Sequence, residues 1–182
     1  MASSSATTGK NQTPVLILMG VSGAGKTTVG RRLADALDWD FVDGDDFHPP
    51  ENVEKMNRGE PLTDEDRGPW LRSIRDFIHE RLSGDTPTII ACSALKAAYR
   101  EVLLQDNAGA KIVFLEGSKD LIRQRMRART DHFFDAELLD SQFDVLEEPT
   151  EDAALTVNVD ASPEAIVRTI RRELPALFYT SE

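Results

Sequence analysis

The sequence predicts an α/β fold, a three-layer α/β/α arrangement with a five-stranded parallel sheet between helices. Two observations carry this. Short apolar runs alternate along the chain with helical patterns, and such alternation places helices on both faces of a parallel sheet. The runs are also continuous rather than every-other-residue, as expected of strands buried on both faces. At 182 residues, with 40% hydrophobic and 29% charged residues, the chain has the length of one domain and enough apolar material for a core.

Residues 1–13, MASSSATTGKNQT, are small and polar. They lack the apolar centre of a signal peptide and the arginines of a transit peptide, so they read as a disordered leader, with the domain spanning 14–182 and a cytoplasmic location expected. Pro14–Met19 is the first strand. Lys26–Leu37 follows as a helix, with Val29, Leu33 and Leu37 on one stripe. Phe41-Val42 forms a second strand that ends at Asp43, and Thr88–Cys92 a third. Ile112–Leu115 and Leu155–Val159 complete the sheet. The widest helical stripe is Trp70, Leu71, Ile74, Phe77, Ile78 and Leu82. The last helix starts at Pro163, with Ser162 as N-cap and proline in the first helical position.

Composition excludes several classes. Lys and Arg number 21 against 32 Asp and Glu, for a net charge of −11. A field of that sign opposes a protein built to coat nucleic acid or an anionic membrane. No stretch approaches the roughly 20 apolar residues of a membrane span. The single cysteine, Cys92, rules out an internal disulfide framework and an all-cysteine metal site, and it reads as an inert buried thiol.

Ligands of open parallel sheets bind beyond the carboxyl ends of the strands. The first strand runs straight into Gly20-Val21-Ser22-Gly23-Ala24-Gly25-Lys26-Thr27, which matches G-x-x-x-x-G-K-[ST] in full, with a strand before and a helix after. This is a P-loop. Its backbone N–H groups form an anion nest at a helix N-terminus. Lys26 reaches the β- and γ-phosphates and the Thr27 hydroxyl ligates Mg²⁺, with Thr28 next in the same turn. A nucleoside triphosphate is therefore expected. A guanine-specific Asn-Lys-x-Asp element is missing, since Ser118-Lys119-Asp120 has neither the Asn nor the spacing. Glu116 after Ile112–Leu115 imitates the acid of motor ATPases, but a buried strand whose next residue reaches solvent is the preferred reading. A small-molecule phosphotransferase is the remaining class.

Asp43-Gly44-Asp45-Asp46-Phe47-His48-Pro49 follows the second strand. Carboxylates this close repel unless they meet a cation or hydroxyl donors. One of them is suited to the hydration shell of Mg²⁺, another to accepting the proton of an attacking hydroxyl. A polar cluster follows in Asn52, Lys55, Arg58 and Arg67. A solvated helix face explains each of these except Arg67, whose position in the first turn of a helix aims it inward. The third strand ends in Cys92-Ser93-Ala94-Leu95-Lys96, with Tyr99 and Arg100 one turn on. Ser93 suits either an N-cap or a hydroxyl near the transferred phosphoryl group. Leu121–Thr130 carries Arg123, Arg125, Arg127 and Arg129. These arginines are either a solvated basic face or a lid that neutralises charge during transfer. His132-Phe133-Phe134 would then seal the closed site against water.

From about residue 14 to 175 the chain resembles the gluconokinases, ATP:D-gluconate 6-phosphotransferases of the small P-loop type. The resemblance rests on Met19–Thr27, Asp43–Pro49, Asn52–Met56, Gly59–Asp64, Asp66–Leu71, Cys92–Lys96 with Tyr99-Arg100, His132–Phe134, and Gln142-Phe143 with Leu146–Pro149. Asp46 adds a carboxylate where relatives can carry an apolar residue, so Asp43 and Asp45 are the stronger candidates for catalysis. The resemblance implies a shikimate-kinase-like fold with a mobile helical lid at about 123–145. It implies phosphorylation of gluconate on its terminal hydroxyl, giving 6-phosphogluconate for the pentose phosphate route, with ATP and Mg²⁺ as cofactors. It further implies a homodimer. The expected mechanism is direct in-line transfer. Lys26, Arg125 and Arg129 would hold the phosphates with residues 20–28 of the loop, and Thr27 and Asp43 the metal. Asp45 or Asp43 would deprotonate the acceptor. His48, Arg67, Ser93, Lys96 and Arg100, with Asp45, would bind the sugar acid, and adenine would lie between Arg125 and the loop at Asp160 to Pro163. Two rivals remain at this point: a shikimate-type or nucleoside monophosphate kinase, and a non-catalytic ATP-binding regulator.

Overall fold

The computed structural model describes residues 13–129 and 136–179. In chain order the elements are β1 (Val15–Met19), α1 (Lys26–Leu37), β2 (Asp40–Asp43), a 3-10 turn (Gly44–Phe47), α2 (Pro50–Asn57) and α3 (Asp64–Ser83). There follow β3 (Thr88–Ala91), α4 (Ala97–Leu104), β4 (Ala110–Glu116), α5 (Lys119–Ala128), α6 (Ala136–Val145), β5 (Leu155–Asn158) and α7 (Pro163–Phe178). The five strands form one parallel sheet in the order β2-β3-β1-β4-β5.

β1 is buried along its whole length, and its side chains divide by the two-residue period of a strand. Leu16 and Leu18 join Val29 and Leu33 of α1 and Ile166 and Ile170 of α7 on one face. Val15, Ile17 and Met19 join Trp70, Ile74 and Ile78 of α3 and Leu103 of α4 on the other. Each face of the sheet thus owns a core, which is the three-layer arrangement expected.

α1 and the start of α7 fall on the expected residues, and Ser162 caps α7 by accepting from Ala165 N–H. α3 starts at Asp64, ahead of its apolar stripe and with Arg67 in its first turn as expected, and Thr63 and Asp66 close a capping box there. β4 extends past its apolar run at both ends. Ala110 and Lys111 pair with Val15 and Leu16, so neighbouring strands, not hydrophobicity, set its length. Glu116 is its partly exposed last residue. Thr13, assigned to the leader by sequence, is buried and donates to Asp85 Oδ1 at 2.8 Å, so it already belongs to the folded domain.

β2 is turned toward the P-loop by Gly44. A Cβ on this residue would stand 2.7 Å from the Ala91 carbonyl oxygen of β3 and 3.3 Å from Cys92 Cβ. The Trp70 indole N–H donates to the Gly44 carbonyl at 2.7 Å. Gly44→Ala should therefore force β2 and β3 apart and cost about 1–3 kcal/mol, read as a lower midpoint in urea unfolding with an unchanged slope.

Candidate active site

β1 leaves the sheet between β3 and β4, and Gly20 N–H donates to the Ser93 carbonyl at 3.3 Å. This ties the start of the P-loop to the end of β3. Gly23 and Gly25 have φ of 83° and 97°, the left-handed region that glycine adopts without strain. Gly23 is also covered by Met126 of α5, whose Cγ would lie 2.7 Å from a Cβ. Lys26 opens α1, and its Nζ donates to the carbonyls of Gly20 at 2.8 Å and Val21 at 3.0 Å. Burial lowers its pKa, while Asp45, Cys92 and Asp43 act in the opposite sense. Thr27 and Thr28 are exposed in the first turn of the helix.

The acidic turn faces this loop. Asp43 Oδ1 accepts from Asp45 N–H at 3.0 Å and caps the 3-10 turn. Its Oδ2 lies 3.5 Å from Thr27 Oγ1. A hydroxyl and a carboxylate that meet in this way are hard oxygen donors of the kind Mg²⁺ prefers, so the pair fits the expected metal. Among the described residues no group of three or more His, Cys, Asp or Glu could hold a metal by itself. The Asp45 carboxyl titrates above the ordinary aspartate range, first because the cleft desolvates it and then because Asp43 stands beside it, while His48 and Lys26 act against the shift.

His48 stacks on Trp70 with ring centroids 4.3 Å apart and planes within 13°. Its Nε2 lies 3.9 Å from Asp45 Oδ1. Burial lowers its pKa against the pull of Asp45, and Arg67 adds to the lowering. Arg67 lies over the Tyr99 ring at 5.8 Å. Lys96 grips both oxygens of Asp64 at 3.0 Å, and the Tyr99 hydroxyl donates to the same carboxylate. Arg67, Lys96, Tyr99 and Asp64 thus form one polar cluster on α3 and α4.

Two expectations change. Ser93 does not cap a helix, because α4 begins only at Ala97, after Lys96. Its carbonyl serves Gly20, and its side chain is partly buried. Arg100 is buried, and its Nη1 donates to the carbonyls of Ala94 at 2.9 Å and Leu95 at 3.1 Å. Ala94 has a φ of 44°, an uncommon conformation for a residue with a Cβ. Arg100 thus holds that turn in shape rather than presenting a guanidinium to an acceptor. Of the other cations, Lys55 pairs with Asp66 and Arg58 with Glu60. Cys92 is buried as expected, and that burial pushes its thiol up to about 12.

α5 and α6 lie in the segment expected to form the lid. Arg123 is bound to Asp140 of α6 at 2.8 Å, so it braces the two helices together. Arg125 Nη2 lies 3.4 Å from the Ala161 carbonyl, which brings it to the loop expected near adenine. Arg129 is exposed at the end of α5. His132, Phe133 and Phe134 lie outside the described residues. The chemistry of Gln142 was missed, since the residue entered only through the resemblance. Its Oε1 accepts from Ser22 N–H of the P-loop at 2.7 Å, so α6 touches the phosphate cradle directly. Among the described residues no helix is long and apolar enough to cross a membrane.

A family model described as an AAA domain matches residues 15–149. The gluconokinase of Gluconobacter oxydans is 41% identical over 162 residues, covering 88% of this chain and 91% of that protein. The crystal structure of a gluconokinase from Sinorhizobium meliloti superposes with a TM-score of 0.81 at 40% identity, covering 95% of this chain and 100% of the other. The shikimate kinase of Aquifex aeolicus, at a TM-score of 0.59 and 19% identity over 92% of this chain and 99% of its own, shares the fold.

Proposed function

The chain belongs to the gluconokinase family, and from that premise we propose that it transfers the γ-phosphoryl group of ATP to the 6-hydroxyl of D-gluconate, giving 6-phospho-D-gluconate and ADP. It is an ATP-dependent carbohydrate kinase. The observation that supports the reading best is the meeting of the two halves of the cleft, with Thr27 of the P-loop against Asp43 of the acidic turn and Asp45 one residue beyond Gly44.

In this reading Lys26 exchanges the Gly20 and Val21 carbonyls for phosphate oxygens. Thr27 and Asp43 would hold Mg²⁺, which when bound neutralises phosphate charge. Asp45 receives the proton of the acceptor hydroxyl. The hydroxyl oxygen bonds to the γ-phosphorus, and the bond from that phosphorus to the bridging oxygen breaks, releasing ADP. Arg125 and Arg129 balance the charge that builds on the leaving group. His48, Arg67, Lys96 and Ser93 hold the sugar acid, with Arg67 and Lys96 the cations available to its carboxylate. Arg100 is left out of the substrate set for the reason given above. A homodimer and supply of the pentose phosphate route rest on the resemblance, and a cytoplasmic location on the small polar residues of the leader.

Purified chain with Mg-ATP should release ADP strongly with D-gluconate and at background with shikimate or nucleoside monophosphates. Stimulation by another acceptor would keep the kinase and discard the substrate. Asp45→Asn should lower kcat by about 100-fold or more with ATP affinity little changed. The base works deprotonated, and its pKa stands above the ordinary aspartate value. Activity of the natural chain should therefore decline with falling pH while an ordinary aspartate would still be ionised, and the variant should lack that limb.

A further inference from the structure

We infer that Asn52 is a positioning residue that fixes His48 as an Nε2–H donor, so that His48 and Asp45 together recognise a hydroxyl group of the acceptor. The inference rests on the kinase reading only for the identity of that acceptor.

Asn52 lies in α2 with 3% of its surface exposed, although its sequence context suggested a solvated helix face. Its Nδ2 lies 2.9 Å from the backbone carbonyl oxygen of Asp66 and 3.3 Å from Nδ1 of His48. A carbonyl oxygen can only accept, so the amide atom facing it is the NH₂ group. That group can only donate, so His48 Nδ1 meets it with a lone pair. The ring proton then resides on Nε2. A second proton, on Nδ1, would set donor against donor inside a buried contact. Stacking on Trp70 at 4.3 Å holds the ring plane. The Asp66 end is fixed in turn, because its carboxylate is held by Lys55 Nζ at 2.9 Å to each oxygen and by the capping box with Thr63. Arg67 and Asp45 are the charged groups that act on the ring.

Nε2 stands 3.9 Å from Asp45 Oδ1, too far for a direct hydrogen bond. One atom that accepts from Nε2–H and donates to the carboxylate satisfies both, and a hydroxyl does this. The chain of donors then runs one way: Asn52 to His48, His48 to the hydroxyl, the hydroxyl to Asp45. Its direction leaves Asp45 as the only member able to take the proton. His48 cannot serve as a base, because its one free lone pair is turned inward onto Asn52.

The direct test is heteronuclear NMR of the full chain labelled in histidine nitrogen, with His48 assigned by comparison with His79→Gln and His132→Gln. At neutral pH His48 should show a protonated Nε2 and an unprotonated Nδ1. A proton on Nδ1, alone or with Nε2, overturns the inference. Asn52→Asp turns a carboxylate oxygen toward Nδ1, and toward the Asp66 carbonyl as well, so its urea-unfolding midpoint and its His48 nitrogen signals are read before its kinetics. With the tautomer reversed, the KM for gluconate should rise about tenfold, as expected for one misdirected hydrogen bond, while the KM for ATP stays put. A reversed tautomer with unchanged gluconate KM would overturn the role in recognition. A natural chain inert toward gluconate would count against the kinase reading alone, and the tautomer would still decide what Asn52 does.

Discussion

The contact between Gly44 and the Ala91 carbonyl constrains the rest of the site. No side chain fits between them, so the end of β2 is pressed against β3 and the chain must turn at once. That turn presents Asp43 and Asp45 on either side of Gly44. Asp43 reaches Thr27 of the P-loop, and Asp45 faces the acceptor cleft. The Gly44 carbonyl also anchors Trp70, and Trp70 carries His48 on its face. One close backbone approach therefore sets the proposed metal donors, the proposed base and the aromatic wall together.

Charge explains why this arrangement awaits a nucleotide. Lys26 is a desolvated cation whose ammonium is shared between two carbonyls of its own loop. The two aspartates opposite it favour its charged form, and Asp43 disfavours the charged form of Asp45. In the proposed mechanism a bound triphosphate offers Lys26 stronger acceptors, and the carboxylates divide by function, one toward metal and one toward hydroxyl. Gln142 links α6 to this cradle, because its side chain accepts from the Ser22 amide. The chain's net charge of −11 is thus compatible with phosphate chemistry, since the local cradle, not the overall field, does the binding.

Much of this was legible in the residues. The P-loop pattern needs only local chain geometry, and the apolar runs that frame it are short and unbroken, so β1 and α1 followed directly. What stayed hidden depends on contacts between distant segments. Arg100 follows Lys96 by one turn and looked like a second anion site. The Ala94 turn instead draws its guanidinium inward. Asn52 looked like part of a solvated face because nothing local announces that Asp66, 14 residues away, supplies its partner. Gln142 reaches the loop across 120 residues, a pairing that no spacing rule encodes.

In the proposed reaction the two halves of the cleft act on one donor and one acceptor held together, with no phosphorylated protein between them. Stereochemistry at phosphorus tests this most directly. ATP made isotopically chiral at the γ-phosphoryl group would be turned over with D-gluconate, and the configuration of the product phosphate determined. Direct in-line transfer predicts inversion. Retention would require two successive displacements, and so a phosphorylated residue for which the Asp43–Asp45 turn has no role in this account.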